Sequence, residues 1–352
     1  MSEKTNPGNY FEDFWIGQEL VHATPRTVTE GDVSLYTALY GSRFAVQSSD
    51  VFAGDLGLAG APVDDLLVFH VVFGKTVPEV SLNAVANLGY AGGVFGAPVY
   101  PGDTLSTTSK VIGLKENSNG KTGVVYVRSV GTNQSGEMVL DYVRWVMVRK
   151  GNADAPAPDP VVPELPGAVA AADLVVPAGL DLAVYDTAAA GSPYLWNDYE
   201  AGERIDHLDG MTIEEAEHML ATRLYQNTAK VHFDQFAAND GRFKRRLIYG
   251  GHIISLARAL SFNGLANAFK VAAINGGVHI NPTFAGDTIY AWSEVQECMN
   301  IPGRDDAGAL RLRTVAIKDR PSVDYPDKTD VGKYDESVVL DFDYTVLMPR
   351  RA

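Results

Sequence analysis

The chain reads as an α+β protein made of one unit written twice, each unit an antiparallel β-sheet wrapped around a long central helix. Three observations predict this. Gly92-Gly93-Val94, Pro98 and Gly102-Asp103-Thr104 recur as Gly276-Gly277-Val278, Pro282 and Gly286-Asp287-Thr288, at a constant offset of 184 residues (276 − 92). Five prolines between Gly151 and Ala170 mark an extended stretch whose composition does not build a core. The 352 residues are about twice the common domain size, as two units require. Residues 1–150 are therefore assigned to an N-terminal repeat, 151–190 to a Pro/Ala-rich linker and 191–352 to a C-terminal repeat. A repeat this long, present only twice, is no solenoid.

Both copies run through the same elements. A polar, acidic, helix-compatible stretch comes first, Thr29 to Tyr40 and Thr212 to Tyr225, and Thr212 to Glu215 has the form of a capping box. A longer apolar helix follows. In the second copy Ile253, Leu256, Ala257 and Leu260 share one face; in the first, Leu66 to Phe73 is apolar nearly all round, which predicts burial on most sides. Lys121 to Val130 and Met138 to Val148 are rich in Val, Tyr and Trp and flank the turn-forming Gly131 to Gly136, so they pair antiparallel. Leu140-Asp141-Tyr142 and Leu340-Asp341-Phe342 mark a matching final strand in each copy.

Composition narrows the function. With Lys plus Arg at 29 and Asp plus Glu at 44 the net charge is −15, a field that repels nucleic acid and anionic membrane surfaces. No apolar run approaches the ~20 residues that span a bilayer. The single cysteine, Cys298, forms no internal disulfide, and the N-terminus lacks a secretory pattern, so a cytoplasmic setting is expected. The seven histidines have no metal-ligand spacing, so no metal is expected. His70, inside an apolar run, reads as a satisfied core histidine. The glycine-rich stretches lack the ending of a phosphate loop, and the serine-hydrolase elbow is absent.

The copies differ most tellingly just after the first helix. Tyr40-Gly41-Ser42 through Gln47 faces Tyr225-Gln226-Asn227 through His232, so Gln47 stands opposite His232. Only the second copy has an imidazole there, and proton transfer near neutral pH needs such a group. Chemistry is therefore assigned to the second copy, and the first, non-catalytic copy shapes the cavity. Ahead of the second apolar helix stands Tyr249-Gly250-Gly251-His252, where bare backbone N–H groups and the helix dipole suit a carbonyl oxygen that gains negative charge.

The segment Asn227 to Asp234, followed by Tyr249-Gly250-Gly251-His252 and then by Pro282 and Gly286-Asp287-Thr288, resembles the MaoC-like, or hydratase-2, family of hotdog-fold enzymes. The opening Tyr10-Phe11-Glu12-Asp13-Phe14, Gly17 and the pattern over both copies look closer still to members that hydrate an unsaturated dicarboxylic thioester. The resemblance implies a double hotdog and a hydro-lyase that reversibly adds water to an α,β-unsaturated dicarboxylic acyl-CoA in C2 assimilation. It also implies no cofactor beyond the coenzyme A of the substrate, and a homodimer. By position it carries His232 over as the catalytic histidine and Gly251 into the carbonyl-donor segment, with Tyr225, Gly250 and His252 beside the substrate.

Asn227 stands where the family has Asp, and an amide takes no proton. Either His232 acts alone, with Asn227 orienting the water, or a carboxylate such as Asp234 joins it. The substrate's free carboxylate calls for an arginine, with Arg223, Arg245 and Arg246 as candidates, and Lys244 to Arg246 could meet the coenzyme phosphates. The alternatives on the same fold are a hydratase of other (3R)-hydroxyacyl thioesters and an acyl-CoA thioesterase or binding module.

Overall fold

The computed structural model describes residues 4–351. In the first unit, strand β1 (Glu19–Thr27) leads to helix α1 (Glu30–Tyr40) and helix α2 (Asp65–Thr76). Strands β2 (Ala84–Phe95), β3 (Thr104–Glu116), β4 (Thr122–Thr132) and β5 (Met138–Arg149) follow. The second unit repeats the series as β6 (Arg204–Thr212), α3 (Glu215–Leu224), α4 (Gly250–Leu260), β7 (Lys270–His279), β8 (Thr288–Asn300), β9 (Ala307–Lys318) and β10 (Val338–Pro349). The strands join in one antiparallel sheet ordered β1-β3-β4-β5-β2-β7-β10-β9-β8-β6, the same order read inward from either edge.

The repeated Gly-Gly-Val segments meet at the centre of this sheet. Ala91 pairs with Gly276 and Gly93 with Ile274, so β2 and β7 fuse the two halves. A Cβ on Gly93 would stand 2.9 Å from Cβ of Ile274, which leaves room only for hydrogen there. The repeated Gly-Asp-Thr makes the same turn twice: Gly102 and Gly286 take φ of 103° and 97°, and Asp103 and Asp287 accept from Tyr100 N and Phe284 N.

Each half of the sheet wraps its helix, α2 against β1, β3 and β5, and α4 against β6, β8 and β10. Asp64 caps α2 by accepting from Leu66 N, and every residue from Leu66 to Thr76 is buried. The helices share one apolar cluster threaded by polar bonds that cross the pseudo-dyad. Ser255 joins Tyr36 at 2.9 Å to His70 at 2.8 Å, and Tyr40 bonds both Tyr225 at 2.6 Å and His252 at 2.8 Å. His70 is thus a satisfied core histidine.

Two local expectations fail. Thr212 does not cap α3, because its backbone is committed to the β6–β8 ladder opposite Thr288, and the helix starts at Glu215 without a side-chain cap. The box forms in the first unit instead, where Thr29 and Asp32 bond reciprocally. The proline-rich stretch also builds core: Val169, Leu174, Leu180 and Leu182 are buried with Phe269, Ala272 and Met299. Proline fixes an extended path there, and the scattered apolar residues between prolines reach the sheet's outer face along it.

Candidate active site

Between the two units lies a cavity of about 700 Å³, lined by α2, β2 and β5 of the first unit and by the loop before α4 and the end of β7 in the second. Its walls carry His232, Asn227 and Gly250 from the second unit and Phe73, Asn87 and Arg144 from the first.

His232 sits on a single helical turn, Lys230–His232, and its Nδ1 donates to the backbone oxygen of Leu247 at 2.9 Å. That bond fixes the tautomer and leaves Nε2 with its lone pair. The ring is half-buried on the cavity wall, and desolvation lowers its pKa to about 4, so it is neutral at pH 7. Asn227 is buried; its Oδ1 accepts from Ala229 N at 3.0 Å, while its amide NH2 has no acceptor among the described residues.

Helix α4 begins at the cavity wall. Its N-cap, Tyr249, makes no side-chain cap, and Tyr249 N itself donates to His218 Nε2 at 2.9 Å. The N–H groups of Gly250 and Gly251 stand in the first turn without acceptors, where the helix dipole adds positive potential. Gly250 lines the cavity, and a Cβ there would strike the His279 ring at 2.4 Å. Gly251 lies beneath it, with its missing Cβ against the rings of Tyr249 and His70.

The other expected residues lie elsewhere. Tyr225 and His252 do not line the cavity; both are buried in the inter-unit network around Tyr40, because their rings point between the helices. Arg223 is exposed on the outer side of α3. Arg245 donates to Ala285 O and stacks over Phe284, and Arg246 pairs with Glu215 at 2.5 Å, so neither guanidinium reaches the cavity wall. Asp234 caps the short helix Gln235–Ala238 by accepting from Ala237 N at 3.0 Å. Among the described residues no aspartate or glutamate lines the cavity.

Sequence reasoning missed His279, Asn87, Arg144 and Arg149, all on the wall. The basic groups there are Arg144, Arg149 and Lys230, so this pocket is positive within an acidic protein. On the first-unit side, Gln47 is turned away: its amide donates to Phe269 O at 2.5 Å, and the space bounded by Ser42, Gln47 and Asp64 is only about 10 Å³.

Comparison with known proteins agrees along the whole length. A mesaconyl-CoA hydratase family model matches residues 1–329. The chain is 70% identical to β-methylmalyl-CoA dehydratase of Chloroflexus aurantiacus, covering 100% of both chains, and 60% identical to mesaconyl-CoA hydratase of Cereibacter sphaeroides, covering 99% and 100%. A MaoC domain dehydratase structure from Chloroflexus aurantiacus superimposes with a TM-score of 0.98 at 70% identity over 100% of both chains. A Mycobacterium tuberculosis double hotdog protein does so at 0.76 with 25% identity over 97% and 99%. With its duplicated helix-and-sheet units and full-length likeness, the chain belongs to the mesaconyl-CoA hydratase family and has the double hotdog fold.

Proposed function

We infer that the protein is a hydro-lyase that reversibly adds water to mesaconyl-CoA to give β-methylmalyl-CoA. The observation that carries the reading is the meeting, in one cavity, of a neutral imidazole with a free Nε2 and an uncapped glycine helix N-terminus. The thioester oxygen, placed at the Gly250–Gly251 N–H groups, is stabilised as the carbonyl takes on enolate charge, an effect on the order of 3 kcal/mol per donor. His232 Nε2 takes a proton from water as its oxygen bonds to the β-carbon; the electron pair moves to the thioester oxygen, and the proton returns to the α-carbon. Asn227 holds the water through its free NH2. Burial sets the imidazole pKa low, and the anionic substrate raises it toward the operating pH by favouring the imidazolium.

Hydration changes no overall oxidation state, so water, imidazole and backbone donors suffice, and coenzyme A enters only with the substrate. Arg149 and Lys230, both on the wall and without ion-pair partners among the described residues, suit its phosphates. A homodimer in the cytoplasm completes the reading, checked by the mass in solution and by cell fractionation. The deciding assay incubates the protein with mesaconyl-CoA and follows enoyl-thioester absorbance, product mass and free thiol. Gain of one water without thiol release is expected. Thiol release would make the protein a thioesterase, and an unchanged substrate would end the hydratase reading.

A further inference from the structure

Arg144, on β5, has no solvent exposure, yet it borders the cavity and has no carboxylate within ion-pair distance among the described residues. Its Nη2 donates to Thr76 Oγ1 at 2.7 Å and to Ser81 Oγ at 3.3 Å, which fixes the plane of the guanidinium. Phe73 supports it from one side, the carbon Cζ lying 4.2 Å from the ring centroid. Its Nε and Nη1 are buried without a hydrogen-bond partner among the described residues. Leaving a guanidinium desolvated and unpaired is costly, so such a group in a native cavity awaits an anion.

A second group shares the shortage. Both polar atoms of the Asn87 side chain are buried without a hydrogen-bond partner among the described residues. Asn87 lies on β2, next to β5, and the register slips between Asn87 and Gly89, so that Asn87 faces Val146 rather than the residue after it. Side chains alternate along a strand, so Val146 shares a face with Arg144, and the bulge turns Asn87 to that same face. The two orphaned groups therefore share one strand face of the first unit and line the same cavity as His232.

We propose that Arg144, aided by Asn87, binds the free carboxylate of a dicarboxylic enoyl thioester and makes the enzyme select diacids over monoacids. The assignment rests on the hydratase reading above and deepens it. Arg144 Nε and Nη1 donate to the carboxylate, and the Asn87 amide adds a further donor. The first unit thus reads the acid end while the second handles the thioester end. A monocarboxylic substrate leaves both groups desolvated and unpaired, and a site built to hydrogen-bond a missing group discriminates by factors of about 10⁴ to 10⁵.

The test measures kcat/KM for mesaconyl-CoA and for a monocarboxylic enoyl-CoA of equal size with wild type, Arg144→Met and Asn87→Ala, with thermal melts of each. Wild type is expected to prefer the diacid; if it hydrates neither thioester, the hydratase reading fails rather than this assignment. Arg144→Met should lose at least about 100-fold on the diacid and little on the monoacid, with an unchanged or raised Tm, because it removes an unpaired buried charge. Equal losses on both thioesters, or a diacid preference that survives, would overturn the proposal. Should Arg144→Met fail to fold, Asn87→Ala decides: at least a fivefold fall in the diacid-to-monoacid ratio supports the assignment, and an unchanged ratio refutes it.

Discussion

The bond from His232 Nδ1 to the backbone oxygen of Leu247, 2.9 Å long, determines which ring nitrogen faces the cavity. With Nδ1 committed as donor, Nε2 accepts, as a base must. His232→Ala is expected to lower kcat by about 10² to 10⁴, the usual share of general acid–base catalysis, while binding of a saturated acyl-CoA changes by less than about tenfold. Single-turnover kinetics and calorimetry separate the two effects. A variant that keeps most of its kcat would remove His232 from the mechanism.

Asn227 supplies no proton, so its two polar ends are separable. Oδ1 holds the loop through Ala229 N, and the NH2 is free for water. Asn227→Ala should cost about 10- to 100-fold in kcat. Asn227→Asp keeps the loop bond but sets a negative charge in a cavity with no carboxylate among its described lining residues, and this favours the protonated imidazole. The acid limb of the kcat/KM profile should move up by about one pH unit. An unmoved limb would separate Asn227 from His232.

Gln47 takes the place of His232 in the first unit but sits on a different surface, donating to Phe269 O. Gln47→Ala should leave kcat within about twofold and lower stability by about 1 kcal/mol, the worth of one buried hydrogen bond. A kinetic loss as large as that of His232→Ala would show that the first unit also carries chemistry.

The sequence revealed what repeats and what differs. The duplicated glycine pairs are legible because they mark where β2 and β7 pair at the centre of the sheet, with Gly93 so close to Ile274 that a Cβ would stand 2.9 Å from its neighbour's. His232, which the structure places on the cavity wall, stood out because its twin is Gln47, a contrast visible without coordinates. Arg144 was not. It lies among valines and aromatics in a strand of the other unit, and only the fold brings β5 to the same cavity as the His232 loop. Proximity in sequence favoured Arg245 and Arg246, whose side chains the fold spends on Ala285 and Glu215. Tyr225 and His252 were misread for a related reason: both neighbour the site in sequence, but their rings point into the seam between the units.

That seam is a stability element. Tyr40 OH is shared by Tyr225 OH and His252 Nδ1, all fully enclosed, so Tyr40→Phe strands two buried polar groups at once. The expected cost is about 2 kcal/mol, read as a lower denaturant midpoint with an unchanged slope. Loss of kcat at full stability would place Tyr40 in the catalytic machinery instead.

Histidine burial also sets the acid limit of the fold. His207, His232 and His279 are held at about 4, His252 at about 3 and His218 at about 2, each chiefly by desolvation, and His70 lies well below its ordinary value for the same reason. Unfolding exposes them to water, where their pKa is about 6.5. Above that pH both states are neutral and stability does not depend on these groups. Below it the unfolded chain binds protons that the folded chain refuses, so stability falls as pH drops from about 6.5 toward 4, by up to about 1.4 kcal/mol per pH unit for each histidine. Chemical denaturation at pH 7.5, 6.5, 5.5 and 4.5 should therefore show a flat upper range and a steep lower one, with several protons taken up per molecule near pH 5. Replacing the buried His207 by Asn, which keeps a polar partner for Ser293, should lessen that uptake by about one proton, and a pH-independent midpoint down to 4.5 would contradict the desolvation of the whole set.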